Sequence, residues 1–366
     1  MINQLQKHPP KFGKPEPSFA SDLRKEIQEY FQKTGLSKYG GRSLMIKAVV
    51  LMVLFSLNYY LLIFVNLHWG IKIFLSISLG FLTAFIGFNI MHDGAHQSFS
   101  KNKKINQIAS YTLNFLGANV FFWKTKHNIV HHTFTNIPHV DDDIDAGIFL
   151  YLNPESTKLK IHKYQHIYFP LVYSFLYIYW VFYADYVKYF KGKVGIMEIQ
   201  NFNRKEKLIF WLTKISHLVL FIVIPIVKLG FWHWMLYFSI YVLSAGFILS
   251  IVFQLAHVVE ETEFLAPDDE NLMEDEWMKH QLRTTANFSM DNKILTWFLG
   301  GLNFQIEHHL FPTISHIHYP ALSKIVRKVC EKYNVPYISH PNLMSAIRSH
   351  YMKMKNLASN SQKTNN

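Results

Sequence analysis

The chain has 366 residues, half of them hydrophobic, and carries 37 Lys and Arg against 25 Asp and Glu, a formal charge of +12. A nucleic-acid binder of that charge would spread its basic residues over a folded face and would lack apolar runs of about twenty residues; this chain has such runs, which point to a membrane protein whose positive residues collect on one side. Cys330 is the single cysteine, which excludes an intramolecular disulfide and a cysteine-built metal site.

In chain order, residues 1–42 read as a polar cytosolic N-terminal segment with no visible cleavable signal peptide. Its proline-rich start, through residue 17, is expected to be disordered. Leu23, Ile27, Tyr30 and Phe31 then suggest one amphipathic helix over about 19–33. Apolar runs at about 44–66 and 71–91 are each long enough to cross a hydrocarbon core of about 30 Å. The short turn between them makes a hairpin that returns His92 to the side of the N-terminus. After Lys101, Lys103 and Lys104, residues 108–123 are apolar but short, and are expected to form one helix lying in the membrane interface. Nine of the eighteen residues in 166–183 are aromatic, which suggests an interfacial or partly immersed helix. A second spanning hairpin is expected from about 207–227 and 231–253. The outer turns hold only Lys228, while the long loops are rich in Lys and Arg, so four spans with both termini in the cytoplasm follow. Residues 43–357 would form the membrane domain, and 358–366 a disordered tail. The fold class is therefore an all-α integral membrane protein. Four transmembrane helices in two hairpins and interfacial helices would carry a cytosolic histidine-rich cap.

The placement of the twenty histidines carries the chemistry. His92 and His96 frame His-Asp-Gly-Ala-His. His127, His131 and His132 form a second cluster with the same spacing, and Gln305-Ile-Glu-His308-His309 is a third. In a helix, four residues advance about 6 Å and turn about 40° past a full circle, so each spaced pair shares a face. His257 follows the fourth span. Neutral imidazole is a good ligand for divalent iron, copper, zinc and nickel, and this many rings exceed what one ion takes, so two metals are expected. Asp93, Asp141, Asp143, Asp145 and Glu307 are candidates to accept the far ring N–H of a ligating histidine. His316 or His318 is a further candidate for such a supporting role. His217, inside a span, should face protein rather than lipid. The acidic loop at 260–276 reads as solvated surface.

HDGAH, HNIVHH and QIEHH, in this order and at these separations, resemble the three histidine boxes of the membrane fatty acid desaturase family, over about residues 42–351. The words around them, HHTFTNIPHVDDDID and NFQIEHHLFPTISHIHYPAL, are similar to the front-end or linoleoyl-CoA desaturase branch. The resemblance implies a non-haem di-iron centre with O₂ as co-substrate, and by position the ligands His92, His96, His127, His131, His132, His257, His308 and His309. Gln305 stands where a related branch has histidine, so an amide or a held water is implied there. It also implies a fatty acyl-CoA or acyl-lipid substrate that gains a cis double bond. No haem motif of a fused cytochrome b5 is visible, so a separate ferredoxin or cytochrome b5 is implied as electron donor. A bacterial inner membrane is favoured over the endoplasmic reticulum. An unactivated methylene C–H is inert to any acid or base that a side chain supplies, so the oxidising power has to come from the metals. The rival readings are a di-iron hydroxylase of an alkane, sterol or carotenoid, and a histidine-rich metal transporter. The QxxHH box argues against the first. The second would need ionisable groups at mid-membrane, whereas these histidines sit at span ends.

Overall fold

A computed structural model of the chain describes residues 9–13 and 17–359. The rest of the proline-rich start and the tail beyond 359 lie outside these residues. Within residues 9–13, Lys11 makes one isolated bridge to the loop around Leu272: the Lys11 amide donates to the Asn271 carbonyl, and the Met273 amide donates to the Lys11 carbonyl. Helix α1 (Pro17–Thr34) buries Phe19, Leu23 and Ile27, one stripe at a spacing of four, beneath the C-terminal part of the chain. Each such side chain, fully removed from water, contributes about 1.5–3 kcal/mol.

The two hairpins are present. Helix α2 (Gly41–Phe64) is followed by α3 (Trp69–Ala95), with the His68 side chain accepting the Gly70 amide to start α3. One face of α2 carries Ile46, Val49, Val53, Leu57 and Tyr60 at helical spacing, all more than half exposed, as lipid-facing side chains require. The helix α3 extends past the expected end, so His92 lies within it. Helix α4 (Lys103–Ser110) follows on the histidine side.

The single interfacial helix expected at 108–123 is instead broken. A turn at Thr112–Phe115 ends before Gly117, which has φ +96°, and α5 (Val120–Lys124) starts afresh. The cause is local: Gly117 takes a conformation that other residues avoid, and the Asn119 side chain caps α5 by accepting the Phe121 and Phe122 amides.

The aromatic stretch forms α6 (Lys160–Ser174) and α7 (Leu176–Lys191), bent by 54° at Phe175. Pro170 inside α6 lacks the amide that would donate to the His166 carbonyl one turn back, and the Ser174 hydroxyl donates to the Pro170 carbonyl just before the bend. Both outer ends return to the histidine side. Gln165 of α6 binds the Tyr151 and Met354 backbone, while Asp185 of α7 accepts the Asn119 amide. The apex is deepest near Tyr177, whose hydroxyl meets that of Tyr241 at 3.0 Å. Gly246 allows this approach, since a Cβ there would lie 2.1 Å from the Ser174 carbonyl oxygen.

The second hairpin is α8 (Arg204–Leu229) and α9 (Phe231–His257). Helix α9 runs to His257 itself, a turn further than expected. Among the described residues, four helices are thus long and apolar enough to span, or five if the bent pair is counted as one span, by length and composition. Beyond α9, α10 (Trp277–Thr284), α11 (Gln305–Leu310), α12 (Tyr319–Lys332) and α13 (Leu343–Ser359) build the cap. Ala358 and Ser359, expected in the disordered tail, complete α13. Among the described residues the only strand pairs are Lys193–Val194 with Met197–Glu198 and Asn287–Phe288 with Ser339–His340.

Candidate metal centre

Four local structures deliver the histidines to one side of the spans. Before His92, α3 widens into a π turn at Gly87–Met91. Gly94 is required by packing, because a Cβ there would come within 2.7 Å of the Ser110 amide nitrogen and the Ala109 side chain. The second cluster occupies another π turn, Thr125–His131, after α5. Such turns recur at functional sites. Here the His127 and His131 rings stack at 26° instead of converging. His308 and His309 sit on α11, and His257 is the last residue of α9.

All eight rings are buried and continuous. The ligating atoms of His92, His96, His127 and His308 lie within 4.8 Å of one another, and so do those of His131, His257 and His309. His132 links the groups, with His308 and His309 at 4.5 Å by ring centres and His127 Nε2 at 3.2 Å from its own Nε2. Consecutive residues in the second and third boxes therefore serve different groups: His131 and His309 face His257, while His308 faces His92.

The outer nitrogens are occupied. His131 Nδ1 lies 3.0 Å from Asp141 Oδ2, His309 Nδ1 is 2.8 Å from Gln281 Oε1, His308 Nδ1 is 3.2 Å from the Tyr319 hydroxyl, and His257 Nδ1 is 3.3 Å from the Thr284 carbonyl. The Nε2 atoms of these four rings are buried without a protein partner. A buried polar atom without a partner costs about 1–3 kcal/mol, and four such atoms facing inward fit a bound cation set. Burial holds His96, His127, His132, His308 and His309 well below the ordinary imidazole value, so they are neutral, the form that ligates. For His131 burial pulls down, but the carboxylates of Asp141 and Asp143 outweigh it and the value rises. Asp141 thereby fixes that ring's orientation.

Of the expected supporting carboxylates, Asp141 contacts a candidate ligand directly. Asp143 is 3.7 Å from His131 Nδ1 and pairs with Lys126 at 2.6 Å. The other three correct the expectation. Asp93 accepts the Ser315 hydroxyl at 2.6 Å and lies 3.0 Å from His316, which in turn faces Lys47. Glu307 accepts from Asn287 Nδ2 and the Tyr337 hydroxyl, and burial pushes its carboxyl up to about 7. Asp145 is exposed and accepts the Gly147 amide. Asp93 and Glu307 each adjoin a histidine in sequence, but neighbours on a helix point about 100° apart. Gln281, Tyr319, Thr284 and Trp123, stacked at 4.3 Å on His127, were not expected. They come from segments distant in sequence or lack any spacing signal. His217 is buried against Gly117 and Phe221, facing protein as expected. His318 donates to the Ser37 carbonyl and touches no candidate ligand.

A cavity of about 820 Å³ runs beneath the cluster, with His92, His127, His308 and the buried Gln305 at its wall. Its deeper lining is apolar, including Phe88, Leu113 and Phe253, and its polar mouth is formed by Lys126, Asp142, Asp143, Asp145 and Lys188. Two histidine groups that could each hold a metal ion, beside a largely apolar cavity, fit an integral-membrane oxidoreductase acting on a chain-like apolar substrate.

The family model for fatty acid desaturases matches residues 67–341, and the chain belongs to that family. It is 34% identical to the sn-1 linoleoyl-lipid 6-desaturase of Synechocystis sp., over 91% of this chain and 93% of that protein. It is 32% identical to the protein of that name from Arthrospira platensis, over 95% of each chain. It is also 31% identical to an acyl-lipid (8-3)-desaturase of Physcomitrium patens, over 91% of this chain and 70% of that one. The protein is a membrane-embedded, oxygen-dependent fatty acyl desaturase with a lipid substrate, and hydroxylation is not favoured.

Proposed function

We propose that the protein holds two non-haem irons and inserts a cis double bond at the sixth carbon of an acyl chain esterified to a membrane lipid. The observation that carries the metal assignment is the set of inward, unpartnered Nε2 atoms whose rings are tied by Nδ1 to Asp141, Thr284, Tyr319 and Gln281. One iron would take His92, His96, His127 and His308, the other His131, His257 and His309, with His132 between them. Gln305 would hold a water or supply its amide. When bound, the irons supply the redox chemistry with O₂ that an unactivated C–H bond demands.

The chain's own part is positioning. The apolar cavity orients the acyl chain past His92 and His308, and burial of all eight rings keeps bulk water from the reacting carbons. The acyl-lipid form and the sixth-carbon position rest on the names of the two cyanobacterial relatives. Residues 43–357 would form the desaturase unit of a bacterial inner membrane. The Lys- and Arg-bearing histidine face would be cytosolic. A separate ferredoxin or cytochrome b5 would deliver electrons there, with the exposed Lys101, Lys103 and Lys104 favouring an acidic carrier.

Expression in a host of known lipid composition, followed by gas chromatography of fatty acids from each lipid class, tests this reading. A new double bond at the sixth carbon in lipid-bound chains is expected. A hydroxylated product would contradict desaturation, and a product confined to acyl-CoA would contradict the lipid-bound substrate.

A further inference from the structure

The acyl cavity stops part-way along the spans. On α3 its deepest lining residue is Thr83, on α9 Leu249, and on α7 the apex residue Tyr177; Leu113 and Leu116 complete the floor. Beyond that floor lies a second, smaller cavity of about 20 Å³, room for about one water. Leu79, one turn outward from Thr83, lines it together with Tyr59, Phe221, Trp234 and Tyr241. Tyr177 thus faces the first cavity and Tyr241 the second.

These two tyrosines and Thr83 form the partition. The Tyr177 and Tyr241 hydroxyls are 3.0 Å apart, Tyr177 donates to the Leu116 carbonyl at 2.6 Å, and the Thr83 hydroxyl is 3.3 Å from that of Tyr241. Each is nearly fully buried, and the Tyr241 ring stacks on Phe221 at 18°. A buried hydroxyl needs a partner, so the network fixes both rings in place across the route. The opposite end of the cavity is charged, at Lys126, Asp142 and Asp145, and opens to the surface at the exposed Asp145. An acyl chain therefore enters with its ester at the mouth and its methyl end toward the tyrosines.

We propose that the Tyr177–Tyr241–Thr83 wall is the chain-length gauge of this desaturase: ring bulk at Tyr241 and Tyr177 limits how far the methyl end reaches past the histidines. The proposal rests on the desaturase reading above. A hydrophobic pocket discriminates by about 10- to 200-fold per methylene, so the wall should impose a sharp upper limit on chain length.

The test feeds an expressing host a ladder of fatty acids from fourteen to twenty-two carbons and measures desaturated product at each length. For Tyr241→Ala, the product ratio of a chain just above the wild-type limit to one just below it should rise about tenfold or more. Tyr241→Phe keeps the ring and should keep the wild-type limit. Leu116→Phe adds bulk to the floor, retains the carbonyl that Tyr177 uses, and should move the limit to shorter chains. A ratio unmoved in Tyr241→Ala, or moved as far in Tyr241→Phe, would overturn the wall. Should Tyr241→Ala fail to accumulate in the membrane, Leu116→Phe decides, and an unchanged limit there would overturn it too. Absence of any desaturated product from the wild type would instead count against the desaturase reading beneath the proposal.

Discussion

The Oε1 atom of Gln281 accepts from His309 Nδ1 at 2.8 Å and from the Thr135 hydroxyl at 2.9 Å, so a residue of α10 sets the orientation of a ring on α11. With Nδ1 held there, Nε2 of His309 faces His131 and His257.

Loss of such a partner commonly lowers metal affinity by about 10- to 100-fold. Gln281→Leu should therefore release iron at lower chelator concentration, by about that factor, while Gln281→Glu, which keeps an acceptor, should retain it more tightly. Equal retention in wild type and Gln281→Leu would remove Gln281 from any supporting role.

Lys214 of α8 lies 2.9 Å from Asp185 of α7, and also donates to the Gly117 and Val181 carbonyls. It joins the bent pair to the second hairpin and to the turn before α5. Removing one member of a buried pair costs about 3–5 kcal/mol, because a charge is left without its partner. Lys214→Met and Asp185→Leu should each lower the melting temperature in detergent. The double variant should lose much less than the sum of the two, although the Asn119 amide that Asp185 also accepts is then left bare. Strict additivity would show that the pair contributes no coupling.

His350 accepts the Tyr173 hydroxyl and donates to the Val258 carbonyl, and burial holds its imidazole down at about 4. The native ring is neutral, whereas the unfolded ring protonates below about 6.5. Its stabilising contribution is therefore present above pH 6.5 and is lost as pH falls from there toward 4, by at most about 3 kcal/mol. Melting temperatures of the metal-loaded protein should fall across that window, and less steeply in His350→Gln. Identical slopes would show that His350 does not carry the dependence.

The turns at His68 and Gly230 should be labelled from the side opposite both termini. Cysteine placed at either turn, in a Cys330→Ser background, should react with an impermeant thiol reagent from outside intact cells. Reaction of only one turn would mean that the bent pair crosses completely, separating the second and third histidine clusters.

The spans and the histidine clusters were legible because their signals are local: continuous apolar length, and pairs spaced to share a helix face. Where the expectation failed, the deciding physics was either an overlooked breaker or a tertiary contact. Gly117 and Asn119 divide the segment expected as one helix, and Pro170 precedes the bend in the aromatic stretch. Asp93 and Glu307 sit beside histidines in sequence, yet their side chains point to Ser315 and to Tyr337. Gln281 and Tyr319 reach the rings only through the fold of the cap, and no spacing in the chain announces them. The split of His131 from His132, and of His308 from His309, likewise depends on how four separate segments meet.

The most direct test of the central claim is the number of irons per folded chain, measured after anaerobic loading with ferrous iron and removal of loose metal. Loading has to be controlled, because nitrogen-rich sites generally bind zinc more tightly than ferrous iron. Two irons per chain are expected in the wild type. His131→Ala and His309→Ala should hold fewer and lose desaturation while still inserting into the membrane. Saturation at one iron in the wild type, or full loading and activity in either variant, would contradict a two-metal centre built from these histidines.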